Sequence, residues 1–181
     1  MTTVDPESTS GWGHRGRQRP PFAIAPGPGQ ESVWDYPRPP VVEPDGREVI
    51  VRCGDVEIVR TDRALRILET ASPPTFYLPL ADVRPGVLVP AAGASWCEWK
   101  GRASYWSVVT PEVRIERVGW SYAEPSAPFA AIRDHVAFYA SQLECLVGGE
   151  RVRPQPGAFY GGWITDEVVG PFKGDPGTGG W

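Results

Sequence analysis

Charged groups set among aromatic rings are the residues in this chain best placed for chemistry. Two Lys-Gly steps stand out, Trp99-Lys100-Gly101 and Phe172-Lys173-Gly174. Each puts an ammonium after an aromatic residue and before a residue with a free backbone. That arrangement lets N–H groups and a point charge meet an anion. Gly177, Gly179 and Gly180 extend the second step. The plainer alternative is two tight turns with solvated lysines. Glu69 suits a general acid or base if partly buried, because desolvation moves a carboxyl toward neutrality. Arg63 and Lys100 suit the holding of an anion. Tyr105, Trp106 and Trp120 suit stacking on a flat group. Glu69 and Lys100 are therefore the candidate catalytic residues. Arg63, Tyr77, Tyr105, Trp106, Trp120, Tyr122 and Lys173 are the candidate ligand contacts.

Other chemistries are weaker. Cys97 stands between Trp96 and Trp99, with Lys100 three residues on. It is either a thiolate beside a cation, which would need His135 as its base, or a small core hydrophobe. The three Cys and two His never approach the spacing of a zinc site. Asp55 and Glu57 are two residues apart, as two-metal chemistry asks, but Asp55 falls in a Gly-Asp turn. Gly11, Gly13 and Gly16 spell a literal GxGxxG, yet no strand precedes it and no apolar helix follows. No motif indicates a cofactor or a resident metal.

The elements that must position these groups read mainly as strands. Val49, Val51, Val56 and Ile58 alternate around Gly54-Asp55, a hairpin pattern. Ala64 to Leu68 is a short apolar run. Thr75 to Leu80 is extended, and Pro79 predicts a short or edge strand there, a place where two copies could pair. Residues 83–93 read as loop. Ser95 to Trp99 and Ser104 to Val109 flank the Lys100-Gly101 turn, and Val113 to Trp120 alternates. Phe129, Ile132 and Val136 predict one short helix within Pro125 to His135. Gly148-Gly149 marks another hairpin. Glu31 to Pro40, ESVWDYPRPP, predicts an extended segment lying across the domain with its rings buried.

Composition sets the bounds. The chain has 181 residues, 41% hydrophobic and 11% aromatic, so rings should carry much of one core. Its 21 Gly and 21 Pro lie mostly between apolar runs and read as turns. A net charge of −4 disfavours nucleic acid as a partner. No apolar run is long enough to span a membrane, and the polar N-terminus lacks the apolar stretch of a signal peptide. Three unpaired cysteines fit a reducing compartment, so the expected location is cytoplasmic. Residues 1–30 are expected to be a disordered tail, with Arg15, Arg17 and Arg19 solvated, and residues 31–181 one domain.

The strings TDRALRILETASPPTFYLPLADV, CEWKGRASYW, GWSYAEP and HVAFY resemble, in order and spacing, the family known as domain of unknown function DUF427. The flanking ESVWDYPRPP and FYGGWITDEVVGPFKGDPGTGGW resemble longer members, so the resemblance spans residues 31–181. It implies compact, twisted antiparallel sheets of a β-tent-like kind, with long aromatic and Gly/Pro-rich extensions. It also implies kinship with zinc-bearing small domains, whose Cys pairs this chain lacks. The family is labelled nucleotidyltransferase-like and has no secure reaction. Arg63, Glu69, Tyr77, Cys97, Lys100, Gly101, Tyr105, Trp106, Trp120, Tyr122 and Tyr139 match its positions. Ala71-Ser72 departs from it, because many members have a His there; if that His matters to chemistry, activity is lost or moved. Two functions follow as expectations. One is an enzyme acting on a small anionic or nucleotide-like molecule in an aromatic pocket. The other is a non-catalytic module binding a ligand or protein, with Arg63–Glu69 as a structural ion pair.

Overall fold

The computed structural model describes residues 13–181; Gly11 and the first part of the expected tail lie outside the described residues. Among the described residues nearly all regular structure is antiparallel sheet, and no closed barrel forms. The larger sheet has seven strands: β2 (Val41–Asp45), β5 (Ala64–Glu69), β6 (Ser72–Pro79), β10 (His135–Phe138), β9 (Arg114–Ser121), β8 (Gly101–Val109) and β7 (Leu88–Cys97), in that spatial order. The smaller has four: β12 (Glu150–Arg151), β11 (Glu144–Val147), β3 (Val49–Cys53) and β4 (Val56–Thr61). Two strand pairs complete the set. β1 (Glu31–Ser32) runs parallel to β15 (Val168–Val169), and β13 (Arg153–Pro154) pairs with β14 (Trp163–Ile164).

Alternation decides what each face does. Phe76, Leu78, Val108, Val118, Val136 and Phe138 point from the large sheet toward Val49, Val51, Ile58, Cys145 and Val147 of the small one. That is the main core. Tyr77, Tyr105, Trp120 and Ala137 point the other way and form a second cluster with Phe129 and Ile132. The register pairs Ala91 with Tyr105, Tyr105 with Trp120, and Trp120 with Ala137. Small residues therefore flank two large rings in one row, which leaves a hollow above the sheet.

The hairpins at Gly54 and at Gly148-Gly149 form as the sequence indicates, with positive φ at all three glycines. Three expectations need correction. Residues 83–93 are not all loop, because β7 begins at Leu88. The expected helix is a 3-10 segment, Ala127–Ile132, interrupted at Phe129. Pro128 sits in its first turn and the stretch is too short to gain from α-helical cooperativity. A second 3-10 turn spans Leu80–Asp82.

The third correction concerns β6, which is interior to the sheet and not an edge, so the argument for pairing of copies along it falls. Its prolines sit where no ladder bond is needed. The Leu80 amide donates to the Asp134 carbonyl on the β10 side at 2.8 Å. The Pro79 nitrogen, one residue earlier, therefore faces β5, whose pairing has ended at Tyr77. Pro73 and Pro74 fall at the register shift opposite Ile67 to Glu69.

The segment from Glu31 does cross the domain with its rings inside. Val33, Trp34 and Tyr36 are buried, and the Trp34 indole donates to the Pro171 carbonyl at 3.0 Å. Residues 13–30 run beside it: Phe22 stacks on Trp181, and Arg19 forms a two-pronged pair with Asp35. Among the described residues no helix is long and apolar enough to cross a membrane.

Candidate functional site

The hollow over the second face is a cavity of about 470 Å³. Its floor is Tyr77, Tyr105 and Trp120, and Tyr122, Tyr139 and Trp99 form its walls. Trp120 and Tyr139 approach to 4.6 Å between ring centres, and Tyr77 and Tyr122 to 6.3 Å. The Trp120 indole N–H donates to the Tyr77 hydroxyl at 3.2 Å. The Tyr122 hydroxyl lies beside Tyr77 and the Cys97 thiol. Burial, first of all, pushes the Tyr77 and Tyr122 hydroxyls above the ordinary tyrosine range, so both stay protonated donors.

The C-terminal segment closes one side. Phe159, Tyr160, Gly161 and Lys173 all line the cavity. Gln155 fastens this segment: its side-chain oxygen accepts from the Gly162 amide at 2.9 Å, and its nitrogen donates to the Lys173 carbonyl at 2.7 Å. The Lys173 amide in turn donates to the Ala71 carbonyl at 2.7 Å, which ties the segment to the turn between β5 and β6. At the rim, Trp96 and Phe159 are exposed by 76% and 69%, unusual for large apolar groups.

Glu69, Glu98 and Lys173 gather near that turn. Glu69, Glu98, Lys100 and Lys173 line the cavity together. Behind Glu69 lies the buried guanidinium of Arg38, with its Nε 3.3 Å from Oε1 of Glu69 and its Nη2 donating to the Thr70 carbonyl at 2.7 Å. Burial pulls the Lys173 ammonium below the usual lysine range; Arg38 adds to the effect, while Glu69 and Glu98 oppose it. The Lys173 Nζ donates to the Trp181 carbonyl at 3.0 Å, and the Lys100 Nζ sits 5.8 Å from the Phe129 ring centre.

The structure therefore brings together Glu69, Lys100, Tyr77, Tyr105, Trp120, Tyr122 and Lys173. It leaves out two candidates. Arg63 is at the turn between β4 and β5, exposed by 64%, and pairs with Asp82 at 2.5 Å, not with Glu69. Trp106 follows Tyr105 directly in β8, so its ring goes to the opposite face, against the main core, and donates to Ser121 at 2.8 Å. Alternation alone was enough to separate those two neighbours. Arg38, Glu98, Tyr139, Phe159 and Tyr160 were not singled out as contacts. Tyr139 stood out only as a family position, and Arg38, Glu98, Phe159 and Tyr160 only stood within the strings ESVWDYPRPP, CEWKGRASYW and FYGGW. Glu57 of the Asp55/Glu57 pair forms ion pairs with Arg60 and Arg52. Among the described residues no three His, Cys, Asp or Glu side chains converge.

A family description, domain of unknown function (DUF427), matches residues 41–149, more than half of the chain. The protein belongs to the DUF427 family. No curated protein matches it. The matched part of this DUF427 chain supplies the floor and the Glu69 to Lys100 side of the cleft. Arg38, Gln155, Phe159, Tyr160 and Lys173 come from outside it. The extensions also surround Ala71. Ala71 is fully buried, and its amide donates to the Val33 carbonyl at 3.0 Å. Segments on both sides occupy the space a larger side chain would need.

Proposed function

We propose that the protein binds a small molecule with a flat ring and an anionic group in the aromatic cleft, a nucleotide being one example. One observation carries the reading: rings from four strands and from the C-terminal segment line the same 470 Å³ cavity as two lysines and two carboxylates. Cavities of this size, apolar with a few convergent polar groups, suit small ligands. Tyr77, Tyr105, Trp120 and Tyr122 offer ring faces and protonated hydroxyls. Lys173 and Lys100 offer positive charge along the lining, and Glu69, held by Arg38, accepts hydrogen bonds from donors on the ligand.

Turnover is the second reading, favoured by Glu69 and Lys100 lining the same cavity. Glu69 would move the proton and Lys100 would hold the developing negative charge. Differential scanning fluorimetry against a nucleotide and metabolite panel tests both. A ligand that raises the melting temperature of the native protein, and raises it less in Trp120→Ala and Lys100→Ala, supports binding. Equal shifts in all three proteins, or none with any compound, exclude the cleft. Turnover of that ligand, lost in Glu69→Gln with binding kept, supports catalysis.

A further inference from the structure

A second cavity, of about 350 Å³, adjoins the aromatic cleft and shares Ser95, Tyr105, Tyr139 and Phe159 with it. Its one charged residue is Arg117 in β9, and Ser141 and Gln142 face it. Arg117 has φ +52°, a left-handed conformation that a non-glycine residue rarely takes inside a strand. The register between β8 and β9 slips here, between Trp106 and Val108. The bulge turns the side chain away from its expected direction. It lands with the guanidinium carbon 4.1 Å from the ring centre of Tyr105, a wall of the aromatic cleft.

The neighbours fit that placement. A Cβ at Gly93 would lie 2.9 Å from Nη1 of Arg117, so glycine leaves the guanidinium its room. The Tyr105 hydroxyl is occupied with Ser95 at 2.9 Å, which fixes the ring that Arg117 covers. Among the described residues no carboxylate pairs with Arg117, and none lines this cavity. The nearby Glu116 is taken up by Arg114 and the Ser107 hydroxyl. A strained, stacked and acid-free arginine with hydroxyl and amide donors around it is built to take an oxyanion.

We propose that Arg117 holds the anionic arm, phosphate or carboxylate, of the ligand whose ring occupies the aromatic cleft. This rests on the ring-binding reading above and assigns the anion to the Tyr105 end rather than to Lys100. The guanidinium fork meets the oxyanion, Ser141 and Gln142 supply further donors, and Tyr105 separates arm from ring.

Two NMR signals keep the two ideas apart: the Arg117 Nε–H and the Trp120 indole N–H. The full chain is titrated with inorganic phosphate, uridine, uridine 5′-monophosphate and orotate. The expected result is a saturable phosphate shift at Arg117 but not at Arg63. The monophosphate and the carboxylate orotate should both bind about tenfold or more tighter than uridine. If only one of them does, that identifies the arm. Arg117→Gln should bring uridine and its monophosphate to equal affinity. Arg117→Asn, which tolerates the left-handed backbone, should do the same if the Gln variant folds poorly. An Arg117 signal unmoved by phosphate, or variants that keep the monophosphate advantage, would overturn the anion assignment whatever Trp120 does. An Arg117 response with no ring compound moving Trp120 would support the anion assignment and overturn the ring reading.

Discussion

The indole N–H of Trp120 and the hydroxyl of Tyr77 meet at 3.2 Å beneath the cleft, joining β9 to β6 across β10. Both side chains are buried. A buried donor that loses its acceptor costs about 1–3 kcal/mol. Tyr77→Phe leaves the indole N–H without that acceptor and should destabilise the fold by about this amount in chemical denaturation. Trp120→Phe removes the donor and some ring volume together, and should cost at least as much. Both variants should also weaken any ring ligand. A Tyr77→Phe protein as stable as the native one would show the bond adds nothing.

Gly161 keeps the roof off the floor. A Cβ there would lie 2.1 Å from Cη2 of Trp120 and 2.8 Å from Cζ3. The backbone at Gly161 is outside the left-handed region, so the conflict in Gly161→Ala is steric alone. Overpacking of this kind costs about 1–3 kcal/mol. The indole must tilt into the cavity or the C-terminal segment must lift. Either way the Trp120 indole resonance should move and ring ligands should bind about tenfold more weakly, an estimate scaled from that cost. Unchanged binding would mean the segment does not form the roof in solution.

The sequence carried the sheets well because their signals are local. Alternation and glycine turns marked β3, β4, β8, β9 and β11, whose partners are mostly adjacent in the chain. The Tyr105, Trp120 and Tyr122 side of the cleft followed from the same strands. What failed was long-range. Pro79 looked like an edge signal because the sequence cannot show which side of a strand has already lost its partner. Arg63 looked like the partner of Glu69 by proximity in sequence. The partner is Arg38, thirty-one positions before it, brought in by the ESVWDYPRPP segment. The bulge that redirects Arg117 left no mark in the alternation of Arg114 to Trp120.

Arg63 provides a control. Its guanidinium is mostly in solvent and, among the described residues, pairs with Asp82, whose other oxygen accepts from the Thr61 hydroxyl at 2.6 Å. Exposed pairs contribute between zero and about 1 kcal/mol. Arg63→Ala should therefore change stability by less than about 1 kcal/mol and leave ligand affinity unchanged. Asp82 behaves differently with pH. The Thr61 hydrogen bond, and then Arg63, hold its carboxyl below the usual value of 3.8. Its contribution is present above that value and is lost as pH falls through the lowered one. Asp82→Asn should flatten this part of the acid limb. Loss of ligand binding in Arg63→Ala would return Arg63 to the site.

Alkali should unfold the protein early. Burial holds the Tyr36, Tyr77, Tyr122 and Tyr139 protons beyond the usual tyrosine value of 10.0. Above that pH the unfolded chain releases these protons while the folded chain keeps them. The folded state then binds more protons, so stability falls as pH rises. Lys173 acts in the opposite sense. Its ammonium is lowered in the fold, so stability gains between that lowered value and 10.5, where the unfolded lysine titrates. The four tyrosines, joined by the raised thiols of Cys53 and Cys145, outweigh the one lysine and make the net slope above about pH 10 negative. Denaturant midpoints across that range should fall, and Tyr77→Phe should reduce the slope by about one proton. A flat profile would mean these hydroxyls are open to water.

Cys97 is a built-in reporter of occupancy. Of the three free cysteines, Cys53 and Cys145 are buried in the main core, while Cys97 lines the aromatic cleft. Burial, chiefly, raises the Cys53 and Cys145 thiols, so few thiolates form there. A disulfide reagent on the native protein should therefore modify one thiol quickly and the other two only on unfolding. Cys97→Ser should remove the fast phase without loss of fold, because the thiol is only partly buried. A compound seated between Trp120 and Tyr122 covers this thiol and should slow the fast phase in proportion to its occupancy. Because the readout is a rate at one atom, it separates ligands held in the cleft from those bound elsewhere. If a compound that stabilises the fold leaves the Cys97 rate unchanged, its binding site is not the one described.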